Sequence, residues 1–428
     1  MFCLIGDGEQ QEGQIWEAAA FAAHHHLDNV CLIVDCNGMQ LVDSLKTIKD
    51  LQPFDAKWKS FGWNVMTVDG HDIDKLYQVL SEAKVHTGCP TVVLAQTIKG
   101  KGVSYMENQP TGMARRRMKR SMRPHEGIIS GGAVMECIPM RDGYGKALLE
   151  LCRLHDNVIV MDADVAKSTR TDWVRTAYPQ KYLNVGISEQ DLVGTAAGMS
   201  LTGFVPFVST YGVFLTGRAW EQIRNTVGYN RLNVKLGGAH AGISVGPDGG
   251  THQALEDVAL MRTIPNIMVV VPCDYKETYK ATMAVYDMTG PSYIRFSRNP
   301  VPVVTDDDTP FTIGKVSVFR KGTDVTIFAN GIMVYQSLEA AKAWPVKAFL
   351  YKSSTSIRSS LWMKTASYPA PPRREPSSYA KSTSASAGWE ALYANAWLSA
   401  AACLSNWSAF ATGSASRAGQ TNCWKLTA

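Results

Sequence analysis

Five short runs, "VCLIVDC", "PTVVLAQT", "NVIVMDADV", "VPFVST" and "IMVVVPC", are apolar at nearly every position instead of at alternate ones. A strand with no polar face has to be covered on both sides, which is the situation of parallel sheets buried between helices. The text between the runs supplies those helices: "IWEAAAFAAHHH", "DGYGKALLELCRLH", "EQDLVGTAAGMSL" and "DYKETYKATMAVYD" carry helix-period apolar residues. The alternation predicts an α/β fold of successive parallel-sheet units. We place one unit at 1–108, a linker at 109–137 and a second unit at 138–310. A third begins at 311 with "FTIGKVSVFRKGTDVTIFANG" and breaks off near Lys342. A chain of 428 residues is long enough for several such cores.

Charge is spread unevenly. The net charge of +5 is concentrated in two places: residues 113–124, "MARRRMKRSMRP", with six Lys/Arg and no acid, and residues 343–428, with nine Lys/Arg against Glu375 and Glu390. The rest of the chain is acidic. The basic run has no interleaved aromatics or repeated spacing, so no nucleic-acid partner is expected. No apolar run approaches the roughly 18 residues of a membrane span, and Met1 leads straight into a strand, so a soluble, cytoplasmic protein without a membrane partner is expected. The nine cysteines include no CxxC pair and are expected to be reduced thiols. After Lys342 come "SSTSIRSS", "PAPPRREPSS" and "STSASAG", with six of the 11 Trp and no sustained periodicity. Such a tail matches neither a disordered segment, which is poor in Trp, nor a folded domain. It has the look of text read out of frame.

The chemistry starts at "GDGEQQEG". In an open α/β sheet, ligands sit beyond the carboxyl ends of the strands. Asp7, between Gly6 and Gly8, puts a carboxylate there with little bulk around it, and Asn37 before Gly38 offers an amide oxygen at the end of the next strand. An Asp, an Asn, a backbone carbonyl and phosphate oxygens suit an octahedral Mg²⁺. Read alone, both could equally be turns.

The whole stretch "GDGEQQEGQIWEAAAFAAHHHLDNVCLIVDCNGMQ" resembles the cofactor motif of the transketolase family, in particular the type of bacteria and archaea split into N- and C-terminal subunits. The resemblance covers about 1–108 and 138–342. It implies a diphosphate- and metal-binding domain, then a pyrimidine-binding domain, then the start of a C-terminal domain. It also implies thiamine diphosphate with Mg²⁺, or another divalent cation such as Ca²⁺, as cofactors. Asp7 and Asn37 would bind the metal by side chain and Met39 by its carbonyl, with Gly8 beside the cofactor, and Glu12 and Glu17 would join a carboxylate network between cofactor sites.

The second unit continues the likeness. "NVGISEQDLVGTAAGMS" puts Glu189 at the start of a helix, where a lone acid could simply favour the N-terminus. The resemblance makes it the glutamate that hydrogen-bonds the aminopyrimidine and promotes its imino tautomer. Tyr211 and Phe214 match aromatics that wall the pyrimidine, and Asp164 an acid near the cofactor. "GGAHAGISVGPDGGTHQALED" implies His240 and His252 as catalytic contacts to a sugar and Asp248 as a reader of an acceptor hydroxyl. Arg141, Ser168 and Arg298 match positions that bind substrate phosphate, for which arginine's fork is suited. The implied activity is that of a transferase, reversible passage of a two-carbon ketol group from a ketose phosphate to an aldose phosphate, as in the pentose phosphate pathway. The implied assembly is a homodimer with each site at the subunit interface.

Departures accompany the match. Family members carry a long segment before the GDG motif. After "KGKGVSYMENQP", the split type has a His-containing peptide where this chain has "GMARRRMKRSM". A one-base shift within plausible codons for that peptide reads as Gly112 to Met122. Two adjacent subunit genes joined by frame errors, giving an inactive fragment, would account for both the run and the tail. A 1-deoxyxylulose-phosphate synthase, a transketolase for an unusual sugar and a non-catalytic paralogue are the alternatives. Arg141, Ser168 and the paired histidines favour the transketolase over the first.

Overall fold

The fold is that of a computed structural model, which describes residues 1–109, 128–130, 133–343 and 348–353. All of these belong to the compact unit Met1–Ala366. The basic run 113–124 and the tail from 354 onward lie outside the described residues.

The first sheet has four parallel strands in the order Phe2–Gly6, Cys31–Cys36, Thr91–Gln96, Asn64–Asp69. The helix Gly13–His24 links the first two, Phe54–Ser60 precedes the strand Asn64–Asp69, and Ile73–Val85 leads to Thr91–Gln96. One face packs Val34, Leu94, Phe54 and Trp58 with Ala19 and Ala22, and the other packs Val68, Val93 and Ala95 with Ala83. Small alanines on the helix Gly13–His24 let it lie close enough for Trp63 Nε1 to donate to the Ala19 carbonyl at 2.9 Å. Trp58 is fully buried, and its Nε1 donates to Gln10 Oε1 at 2.8 Å. That bond satisfies the one polar atom of a large core ring.

The second sheet has six parallel strands in the order Met268–Val270, Ser292–Arg295, Lys235–Ala239, Val205–Tyr211, Val158–Asp162, Tyr182–Asn184. From Val158–Asp162 the chain adds a strand on one side, Tyr182–Asn184, and then crosses to the other side for Val205–Tyr211. The crevice at such a switch is where doubly wound folds take ligands. The helices Met140–Leu154 and Tyr275–Tyr286 cover one face with Tyr144, Leu148 and Val285, and Glu189–Leu201 covers the other with Leu192, Val193 and Ala196. Lys235 is buried within this sheet. Its ammonium donates to the carbonyls of Met288 at 2.6 Å and Gly290 at 2.8 Å, and burial lowers its pKa to about 8.

The expected helices and apolar strands form where their periods place them, and both sheets are parallel, as strands without a polar face require. One difference falls in "STYGVFLTGRAWEQIRN", which winds as two π-helical segments, Phe214–Arg218 and Gln222–Gly228. A second lies beyond the expected break near Lys342. The helix Met333–Ala343 is followed by the strand Ala348–Ser353, which completes a three-stranded sheet between Val316–Arg320 and Val325–Ala329. Within the linker range, Ile128–Ser130 pairs antiparallel with Ala133–Met135. Cysteines 3, 31, 36, 89, 137, 152 and 273 are free thiols. Among the described residues no helix is long and apolar enough to cross a membrane.

Candidate active site

Most candidate residues lie at or just beyond the carboxyl end of a strand or at the start of the helix after it, Asp248 and His252 lie in the long loop after Lys235–Ala239, and the two α/β regions meet near these ends. Asp7 follows Phe2–Gly6. It is buried, and its Oδ2 accepts from the Gly38 amide at 2.6 Å while its own amide donates to the Asp35 carbonyl at 3.1 Å. Burial raises its pKa, and the neighbouring Asp35 adds to the effect. No ion pair is found for Asp7 or Asp35 among the described residues. A buried carboxylate beside a second one, without a cation, is an unfavourable arrangement unless a positive charge joins it. Asn37 Nδ2 donates to Asp35 Oδ2 at 3.1 Å and its Oδ1 accepts from the Met39 amide at 2.9 Å, so Asp7, Asn37 and Met39 meet in one loop system. Gly8 is required here: a Cβ would fall 2.7 Å from Gln40 Nε2.

Asp164 joins the regions. Its carboxylate accepts from the amides of Leu41 at 2.9 Å and Val42 at 3.2 Å, and burial lifts its pKa to about 6 against those two bonds. It holds a left-handed backbone, φ 58°, which Asp tolerates better than most residues. Gln11 makes a parallel clasp, its Oε1 accepting from the Ile187 amide at 2.8 Å and from Gln40 Nε2 at 2.7 Å. Lys49 reaches Asp191 at 2.6 Å.

Glu189 is the first residue of its helix and is almost wholly buried. Its Oε2 accepts from Arg218 Nη1 at 2.7 Å, and the same nitrogen donates to Glu12 Oε1 at 2.6 Å. Glu12 has its pKa raised to about 7, chiefly by burial, with Arg218 opposing the shift and Glu189 reinforcing it. The structure therefore brings Glu12 to Glu189, whereas Glu17 points to the exposed side of its helix. The three histidines 24–26 are likewise exposed and away from the cluster.

Another side of the site is built on aromatic contacts. His240 is buried, left-handed at φ 56°, and stacked on Tyr211 with centroids 4.5 Å apart. His252 meets Tyr211 edge-on at 5.6 Å and Phe214 at 5.1 Å. Neither ring nitrogen of His240 has a hydrogen-bond partner of good geometry. Burial, then the charges of Arg141 and Arg298, hold its pKa down at about 3, the Ser168 backbone opposing them. The imidazole is neutral at physiological pH and can offer one donor and one acceptor. Ser168 Oγ bonds the Tyr211 hydroxyl at 3.0 Å, and Arg141 Nη1 donates to the Ser168 carbonyl at 3.3 Å. Arg141 forms no ion pair among the described residues, and burial lowers its pKa to about 10. Arg298 is engaged, donating to Asp248 Oδ2 at 2.8 Å and to the Val245 carbonyl at 2.7 Å.

Three residues in this constellation were absent from the sequence-level candidates: Arg218, Gln11 and Asp35. The first has a signal, since Phe214 and Arg218 are four apart and the guanidinium lies 4.8 Å from the ring centroid. Gln11 and Asp35 have none, because the partners that define their roles are distant in sequence.

Acids at the strand ends, with arginine and a neutral histidine on neighbouring elements, define an α/β protein with a polar site where its two main sheets meet. Comparison with known proteins makes the class particular. Residues 1–114 match the family signature "Transketolase, thiamine diphosphate binding domain" and residues 136–303 match "Transketolase, pyrimidine binding domain". The chain belongs to the transketolase family. It is 33% identical over 380 residues to "Transketolase-like protein 2" of Bos taurus, across 80% of this chain and 60% of that protein. It is 31% identical over 377 residues to human "Transketolase", with the same 80% and 60% coverage. A "Putative transketolase C-terminal section" of Methanocaldococcus jannaschii is 42% identical over 205 residues, or 47% of this chain and 65% of that one. Transketolase from Campylobacter jejuni shares the fold at a TM-score of 0.51 and 21% identity, covering 86% of this chain and 67% of that one. This chain thus spans 60% of the length of the first two of these relatives.

Proposed function

We propose that the site catalyses reversible transfer of a two-carbon ketol group from a ketose phosphate to an aldose phosphate, the reaction type of the pentose phosphate pathway, with thiamine diphosphate and Mg²⁺ as cofactors. The observation that carries the reading is the set of groups at the strand ends of two α/β regions that meet: the carboxylates of Asp7 and Asp35 and the guanidinium of Arg141, with no ion pair among the described residues, a buried Glu189 and a neutral His240.

Bound thiamine diphosphate would supply the electron sink that cleavage of a carbon–carbon bond next to a carbonyl requires. The residues fit it. Asp7 and Asn37 oxygens with the Met39 carbonyl would hold Mg²⁺, or Ca²⁺ in its place, and a divalent charge would relieve the strain of two adjacent acids. Glu189 would present a carboxylate to the pyrimidine, with Tyr211 and Phe214 as its walls and Gly8 and Asp164 beside the cofactor. His240 and His252 donate to and accept from sugar hydroxyls and move protons between them. Asp248 reads an acceptor hydroxyl. Arg141, Ser168 and Arg298 grip the phosphate, Arg141 most strongly because its charge is uncompensated.

In the proposed assembly two copies form a homodimer with each site at the subunit interface. Mixing Asp7→Asn with Glu189→Gln protein tests this: recovered activity shows shared sites, and none shows that each chain builds its own. The function itself is tested by calorimetric titration of the full chain with thiamine diphosphate and Mg²⁺, followed by a ketose-phosphate and aldose-phosphate assay. Saturable binding with aldose release supports the reading. Absence of binding defeats it.

A further inference from the structure

Arg218 stands between two acids contributed by different α/β regions. Glu12 is the residue before the helix Gly13–His24, Glu189 opens the helix Glu189–Leu201, and Arg218 closes the segment Phe214–Arg218. One nitrogen, Nη1, serves both carboxylates, at 2.6 and 2.7 Å. The guanidinium lies over the Phe214 ring at 4.8 Å, and the backbone of the residue is fixed by Gln190 Nε2 donating to the Arg218 carbonyl at 3.3 Å. The cluster is two negative charges on one positive charge, in a site where Glu189 is 3% and Glu12 15% exposed. An excess negative charge so placed is relieved by one proton held between the acids.

We propose that Arg218 is a positioning residue of this site: it clamps Glu189 and Glu12 into a single unit that shares one proton and keeps Glu189 turned toward the pyrimidine of the cofactor. The inference rests on the thiamine-diphosphate reading and adds to it the device that orients its key acid. The charged groups facing Glu12 are Arg218 and Glu189, and those facing Arg218 are the same two acids. The Lys49–Asp191 pair lies two residues further along the Glu189 helix. With Arg218 in place the shared proton titrates near neutrality, as the value of about 7 at Glu12 expresses. Without it, repulsion between the acids is unopposed and the proton is held to higher pH.

The test is a carboxyl-band infrared titration of the full chain, free of metal and cofactor, paired with calorimetry of thiamine diphosphate and Mg²⁺ at pH 6, 7 and 8. In the unmodified chain one carboxyl should titrate near pH 7, and Glu12→Gln should abolish that step. Arg218→Met should move it up by about one pH unit or more and weaken cofactor binding about tenfold, while Arg218→Lys, which keeps the charge, restores most of both. A near-neutral step that stays put in a folded Arg218→Met chain overturns the proposal. If that variant does not fold, Arg218→Gln decides: it too removes the charge while keeping a polar side chain, so an unmoved step in that chain again overturns the proposal. A chain that shows the expected carboxyl shifts but binds no thiamine diphosphate refutes the cofactor reading and leaves the clamp intact.

Discussion

The two α/β regions share an architecture and differ in what they leave uncompensated. At the strand ends of the first, Asp7 and Asp35 lie side by side without a cation, and the edge strand Phe2–Gly6 exposes Phe2 and Leu4. At the strand ends of the second, Arg141 lies half-buried with no ion pair among the described residues, while its neighbour Arg298 is already matched by Asp248. One region calls for a positive ligand and the other for a negative one. The proposed ligands, Mg²⁺ carried with a diphosphate and then a sugar phosphate, would answer the two in turn. The difference teaches that a site of this kind is best read from its charge deficits, which no single motif reveals.

The most severe break of that contrast is at the metal side. Asp7→Ala should abolish the response of cofactor binding to Mg²⁺ and weaken thiamine diphosphate affinity by at least about a hundredfold, close to 3 kcal/mol. Calorimetry with and without the cation measures it. The same substitution should leave the metal-free chain as stable as before, because it removes an acid that burial disfavours. A metal-free melting temperature that drops sharply would mean that Asp7 is structural.

Much of this contrast was legible in the sequence, and what was hidden was hidden for identifiable reasons. The apolar strands and the helix Glu189–Leu201 are local patterns, and they lie where their periods put them. Asp7, Asn37, Glu189, His240 and Arg141 stood out because each sits in a motif of glycines and strand ends. The clasp of Asp164 on Leu41 and Val42, 123 and 122 residues away, depends on two separate sheets meeting. The pairing of Arg298 with Asp248, 50 residues apart, depends instead on two strands of one sheet, Lys235–Ala239 and Ser292–Arg295, lying side by side. The neutral state of His240 was hidden too, since it comes from burial and from two distant arginines, Arg141 at the start of a helix and Arg298 beyond the strand Ser292–Arg295.

A second break acts on the seam between regions. Gly186 has φ 79°, and a Cβ there would lie 2.0 Å from Gln11 Oε1. Gly186→Ala should therefore cost about 2–4 kcal/mol, from the left-handed backbone and from the displaced clasp together. Chemical denaturation reads the total. Adding Gln11→Ala to it should recover only the part due to the clash, because the backbone strain stays. Full recovery would show that the glycine is there for space alone.

The contrast can also be sharpened by pH. Asp162 is fully buried, accepting from the Tyr182 hydroxyl at 2.7 Å and Thr171 Oγ1 at 2.6 Å, yet burial still raises its pKa to about 6. A carboxyl raised in the folded state binds more protons there than in the unfolded chain between roughly pH 4 and 6. Its stabilising contribution is full below the unfolded value and is lost as pH rises through the folded one, a change of about 3 kcal/mol. Melting temperatures of the metal-free chain should fall from pH 4 to 6, and Asp162→Asn should flatten that slope. A slope unaltered by Asp162→Asn would move the effect to Asp164, whose pKa is raised into the same window.

The smallest effect belongs to the outer rim of the seam, and it separates contacts that hold the regions together from contacts that only accompany them. Lys49 and Asp191 approach to 2.6 Å, but their side chains are 32% and 46% exposed, so solvent screens the pair. Lys49→Ala should change stability by less than about 1 kcal/mol, and by less still in 0.5 M salt. Asp164→Ala, which strips a buried acceptor from two amides, should cost about 2 kcal/mol or more and be indifferent to salt. Urea denaturation of both variants at two ionic strengths decides between them. If Lys49→Ala proved the more damaging, the regions would be held by their exposed charges, and the buried clasp of Asp164 would be a consequence of their meeting and not its cause.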